Sequence, residues 1–117
     1  IYTGEDTLSL HDALPIWTNL PGCTVSLMPL MWHGLVRQTE VGEHYHPTQK
    51  PVALMAWCME CAKVPIGATV LDPYMGSGTT GIACLRTKRN FIGVEKDKRH
   101  FENACERIRR ELDGALR

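Results

Sequence analysis

Two carboxylates, Asp72 and Glu95, frame a glycine-rich turn whose residue types suit the capture of a small polar molecule. Gly76 and Gly78 let the backbone bend sharply and approach a ligand with no Cβ in the way. The turn opens into a helical pattern, Thr79-Thr80-Gly81-Ile82-Ala83-Cys84-Leu85, so the free N–H groups of a helix start face whatever binds there. An anionic or carboxylate-bearing ligand fits such a place, and the hydroxyls of Thr79 and Thr80 offer further donors. Before the turn stands a short apolar run, Val70-Leu71, and after the helix a second, Phe91-Ile92-Gly93-Val94, which ends at Glu95. Glu95 lies 19 residues beyond Gly76. That is close to the spacing of about 20 at which an acid on the second strand of a nucleotide-binding fold accepts hydrogen bonds from ribose hydroxyls. The unit reads strand, glycine turn, helix, strand, acid, and it points to a cofactor containing adenosine.

Two cofactor classes compete for this pattern. Gly76-x-Gly78-x-x-Gly81 formally matches the dinucleotide pattern GxGxxG, which keeps a nicotinamide-dependent oxidoreductase open as a reading. Against it stand the polar Asp72-Pro73, where dinucleotide binders keep small apolar residues, and the Ser77-Gly78-Thr79-Thr80 that follows. A phosphate-binding P-loop fits less well, since no lysine follows the second glycine.

A second segment lies upstream, His46-Pro47-Thr48-Gln49-Lys50-Pro51. Together with Asp72-Pro73-Tyr74-Met75-Gly76-Ser77-Gly78-Thr79-Thr80 and Gly93-Val94-Glu95, it closely resembles the amino-group DNA methyltransferases over roughly residues 44 to 112. The resemblance implies an α/β fold, a partial Rossmann-like S-adenosylmethionine-dependent methyltransferase fold with an incomplete parallel sheet and flanking helices. It also implies that both segments belong to the S-adenosylmethionine site. Asp72, with Pro73 and Tyr74 beside it, and the backbone of Gly76, Ser77 and Gly78 would then line the methionine part; Thr48 and Lys50 would reach its carboxylate and Glu95 the ribose. The charges agree, because the methionine end carries a carboxylate, an ammonium and a sulfonium, and a cationic Lys50, helix-start N–H groups and an anionic Asp72 complement them. DNA is the implied partner and substrate.

The catalytic element of that family is an Asp/Asn/Ser-Pro-Pro-aromatic tetrapeptide, and none occurs in the 117 residues. Asp72-Pro73-Tyr74 has a single proline and belongs to the glycine turn, so no catalytic residue is assigned. In one circular order of the family the catalytic half comes first and the cofactor segments last. This sequence resembles that C-terminal end, with the remainder expected upstream of residue 1. A catalytically silent module that binds S-adenosylmethionine or a partner is the alternative reading.

These residues need elements to hold them. Apolar residues at 54, 55, 58, 59 and 62 predict an amphipathic helix from Pro51 to Lys63, with Pro51 suited to its first turn. A final helix from about Lys98 to Leu112 aligns Phe101, Ala104, Cys105, Ile108 and Leu112, with Asp97 as its N-cap. The stretch from Thr24 to Trp32 reads as one strand broken by Pro29, and the polar Arg37 to Gln49, with His44 and His46, as a loop near the cofactor or the DNA. Those histidines lack cysteine or carboxylate partners at ligand spacing, so no metal site is assigned.

Two units are expected: residues 1–16 as a non-native or unstructured leader, and residues 17–117 as a partial methyltransferase domain. Thr7 to Ile16 reads as the conceptual translation of a sequencing adapter, the rival being a genuine linker. Hydrophobic residues at 44% and charged residues at 22% suit a globular chain, whose length is short for a complete doubly wound sheet. Residues 1–16 read as neither a signal peptide nor a membrane span, lacking a basic start and a long apolar run, and five cysteines in irregular places imply reduced thiols in a cytoplasm. Charge is uneven: residues 86–117 hold ten Lys/Arg against six Asp/Glu, either a phosphate-facing surface or a helix face of internal pairs such as Glu106 with Arg109 and Arg110.

Overall fold

The apolar runs on either side of the glycine turn extend and pair. In the computed structural model, which describes residues 49–116, Asn19 and the backbone of 32–33 and 36–37, they form the parallel strands β3 (Thr69–Asp72) and β4 (Asn90–Gly93). Their register sets Val70 against Phe91, Leu71 against Ile92 and Asp72 against Gly93. A parallel pair needs a crossover, and helix α2 (Thr79–Arg86) supplies it. Two short strands, β1 (Trp32–His33) and β2 (Val36–Arg37), pair antiparallel as a separate hairpin. The strand expected over Thr24–Trp32 meets the described residues at Trp32 alone, and the leader, Thr48, His44 and His46 lie outside them.

Helix α1 (Val52–Cys61) packs on α2, and α2 on the sheet and on α3 (Lys98–Ala115). The core joins Val52, Met59, Ile82, Ala83 and Cys84, with Met55, Ala56, Val64, Val70, Phe91 and Ile108 against it. Two expectations shift in detail. Pro51 is the N-cap of α1, extended and fully buried, and sits just outside the first turn. The helix carries no single apolar stripe: residues 52 to 59 are all buried or half-buried.

The buried side of α3 is also rotated from the expected one. Ala104 and Arg107 are buried, whereas Phe101 and Leu112 are 43% and 44% exposed. The Arg86 guanidinium forks onto both oxygens of Glu111, at 2.7 and 2.8 Å, and ties the end of α2 to this side of α3. Asp97 caps α3 as expected, its carboxylate accepting from the His100 N–H at 2.9 Å.

Gly81 allows α2 to lie close to its neighbours. A Cβ there would stand 2.8 Å from the Phe91 ring and from Ile108 Cδ1, so no larger residue fits without displacement. Among the described residues no helix is long and apolar enough to cross a membrane.

Candidate nucleoside site at the β3 turn

Strand β3 ends at Asp72, and the chain folds back over the tip of β4 before entering α2. Three backbone bonds fix this path: Val94 N–H to Asp72 O at 2.9 Å, Met75 N–H to Val94 O at 3.0 Å and Gly78 N–H to Met75 O at 2.8 Å. Gly76 and Gly78 take φ of 51° and 75°, the left-handed region that glycine enters without a Cβ penalty. Gly78 is the N-cap of α2, and no side chain caps that helix, so its first-turn amides are left to the turn. Met75 is buried beneath, while Tyr74 projects outward with 88% of its surface exposed.

Both acids grip the turn. Asp72 accepts from the Tyr74 N–H at 3.0 Å through Oδ1 and from the Thr80 hydroxyl at 2.6 Å through Oδ2. Glu95 accepts from the Gly76 N–H at 3.0 Å through Oε2 and from the Asp97 N–H at 2.8 Å through Oε1. The Asp97 N–H is the main reason the Glu95 carboxyl is held below the usual carboxylate range; partial desolvation opposes it, and the Gly76 N–H and His100 reinforce it. Two residues 23 positions apart in the chain thus bond to one and the same turn.

Not every predicted residue faces outward. Ser77 and Thr79 are each 5% exposed, their hydroxyls 3.2 Å apart and turned toward α3, where Arg107 donates to Thr79 Oγ1 at 3.0 Å. Thr80 is engaged with Asp72, and Pro73 is exposed beside Tyr74. Lys50 is exposed just before α1 and makes no ion pair among the described residues, whereas its neighbour Gln49 is buried. Arg107 escaped the sequence reading. The signal for it is its place three residues after Ala104, on the row that faces the turn.

Strand, glycine turn, helix, strand and acid make this half of a Rossmann-like fold. Comparison with known proteins extends that class to a family: residues 25–106 match the family of DNA methylases of the N6/N4 methyltransferase type, and the chain belongs to it. It is 38% identical over 82 residues to the type II methyltransferase M2.DpnII of Streptococcus pneumoniae, covering 69% of this chain and 30% of that protein. It is 35% identical over 79 residues to the type II methyltransferase M2.LlaDCHI of Lactococcus lactis subsp. cremoris, covering 67% of this chain and 29% of that protein. The crystal structure of an M1.HpyAVI–SAM complex superposes with a TM-score of 0.53 at 40% identity, over 76% of this chain and 41% of that one. The chain therefore spans about a third of the length of the curated relatives it matches.

Proposed function

We propose that this chain supplies the S-adenosylmethionine-binding part of a DNA methyltransferase that acts on the exocyclic amine of adenine (N6) or cytosine (N4). The observation that carries this reading is the convergence of Asp72 and Glu95 on one glycine turn, with Glu95 bonded directly to the Gly76 amide. The residues present suit the cofactor. A carboxylate has about four acceptor sites. Asp72 and Glu95 each use two, one per oxygen, and so keep capacity for an ammonium or for ribose hydroxyls. The uncapped start of α2 and the exposed Lys50 suit the cofactor's carboxylate.

In this reading Glu95 holds the ribose, Asp72 and the backbone from Gly76 to Gly78 hold the methionine end, and Lys50 with Thr48 reaches its carboxylate. Pro73 shapes the exit of the strand, Tyr74 offers an aromatic face, and Ser77, Thr79 and Thr80 brace the turn from within. When bound, the cofactor supplies an electrophilic methyl group on sulfur. Fixing it by both ends limits the directions from which an amine can approach, which is catalysis by orientation.

Asp72 is given no catalytic role, because Asp72-Pro73-Tyr74 has a single proline and belongs to the glycine turn. The acceptors that draw an extruded base's amine lone pair out of conjugation are assigned to the part of the protein that the relatives have and this chain does not span. The chain alone is then inactive in methyl transfer. Calorimetric titration is the test: S-adenosylmethionine binds and NAD does not. Binding of NAD alone would transfer the chain to the oxidoreductase reading. Binding of S-adenosylmethionine by a full-length protein that never methylates DNA would leave the silent module.

A further inference from the structure

Among the described residues Arg107 is the sole charged side chain that is buried, with 4% of its surface exposed. A guanidinium out of water is costly unless its donors are met. Here Nη1 donates to the Ser77 carbonyl at 3.2 Å and to Thr79 Oγ1 at 3.0 Å, so it spans the two residues on either side of Gly78. The same side of α3 closes under Gly78 itself: a Cβ at that position would lie 3.1 Å from both Ala104 Cβ and Ile108 Cδ1.

We propose that Arg107 is a positioning residue for the nucleoside turn, fastening Ser77, Gly78 and Thr79 from behind so that the turn holds its binding shape before any ligand arrives. The inference deepens the S-adenosylmethionine reading and rests on it. The turn is held at three places. Asp72 fixes its entry through Tyr74 and Thr80, Glu95 fixes its middle through Gly76, and Arg107 fixes its exit. The first two are acids that a ligand would also engage. Arg107 lies on the far side and cannot compete for the ligand, so its bonds serve to order the turn in advance, and order already present in the free protein appears as affinity.

The test compares Arg107→Met, which keeps much of the volume and removes the donors, with Arg107→Lys, which keeps the charge but not the planar fork. Amide hydrogen exchange is read without ligand at Gly76, Gly78 and Ile82, whose N–H groups are bonded to Glu95, Met75 O and Gly78 O. Titration with S-adenosylmethionine follows. Arg107→Met is expected to speed exchange at these amides at least about tenfold, leave the β3–β4 ladder as it is, and weaken binding at least about tenfold, with Arg107→Lys between. Unchanged exchange at the turn, unchanged affinity, or equal acceleration in the ladder overturns the proposal. Should Arg107→Met not fold, Thr79→Val, which removes an acceptor and keeps the guanidinium, must reproduce the faster exchange or the proposal falls. Failure of the unmodified chain to bind S-adenosylmethionine would overturn the proposed function, and the exchange comparison would still decide the role of Arg107.

Discussion

Glu95 is the residue on which the site turns, and its chemistry makes a sharp prediction. Both its oxygens accept backbone N–H groups, so Glu95→Gln must set an amide NH2 against one of those donors. We expect S-adenosylmethionine affinity at least about tenfold lower in Glu95→Gln, by calorimetry, and a modestly lower melting temperature, because the half-buried carboxylate also holds the turn in the free protein. Gly78→Val should abolish binding and also destabilise, since a β-branched residue at φ 75° costs about 1–3 kcal/mol before its contact with Ala104 is counted. Urea unfolding separates the two effects. At this scale the sequence was informative wherever the constraint is local: an acid before a glycine turn and an acid at a strand end lie at fixed offsets. Arg107 was not legible, because an arginine within a run of charges on a long helix looks the same whether it meets water or a buried carbonyl. Thr48 and Lys50 were singled out by the family resemblance, and nothing local in their sequence says where they lie relative to the turn.

Elements were legible to the degree that one period decided them. The strands and α2 fall where apolar runs and glycines place them, and Asp97 starts α3 as an N-cap should. The buried side of α3 was misjudged because hydrophobicity selected Phe101 and Leu112, whereas the hydrogen bonds that Arg107 donates to the turn and those that Glu111 accepts from Arg86 hold the neighbouring row inward. On the opposite face Glu106 pairs with Arg109 at 3.5 Å and Arg110 at 2.9 Å, and Lys98 with Glu102 at 3.8 Å, so much of the tail's basic surplus is engaged within its own helix. The Arg86–Glu111 fork predicts an acid limit to stability. The Arg86 guanidinium holds the Glu111 carboxyl below its ordinary range, and N–H groups do the same for Glu95 and Asp97. A carboxyl depressed in the folded state stabilises above its unfolded pKa of about 4 and loses that contribution as pH falls through the folded value. The melting temperature should therefore be flat from about pH 7 to 5 and fall below about pH 4. Arg86→Ala should lower stability by about 0.5–1 kcal/mol at neutral pH and flatten the acid limb, since the pair is partly solvated. A thermal melt series across pH checks both.

Among the described residues, the β3–β4 pair is unbalanced across its two faces. Val70 and Phe91 pack against the helices, but the opposite face shows Leu71 at 62%, Ile92 at 55% and Val94 at 52% exposure. Neighbouring apolar side chains left to water promote association. The double substitution Leu71→Thr and Ile92→Thr, which keeps β-compatible residues on the strands, is expected to raise the solubility limit severalfold with little change in melting temperature. Centrifugation across a concentration series reads it; unchanged solubility would mean that this face is not the adhesive one. At this scale the sequence conveyed class and family through three short motifs, and the matched segment covers 30% and 29% of the two relatives. It did not convey which sheet face is covered, since alternation along a four-residue strand reports two faces without naming their neighbours.

Met75 lies buried where the turn crosses Gly93, and a Cβ on that glycine would fall 2.3 Å from the Met75 sulfur. The two positions therefore share one volume, bounded on its other side by the Phe91 ring, 2.7 Å from the same Cβ, so a side chain gained at 93 takes space from the one at 75. Gly93→Ala by itself should lower the melting temperature by displacing Met75, and Met75→Ala together with Gly93→Ala should cost less than the two single changes summed, a non-additive pair that a double-mutant cycle measures.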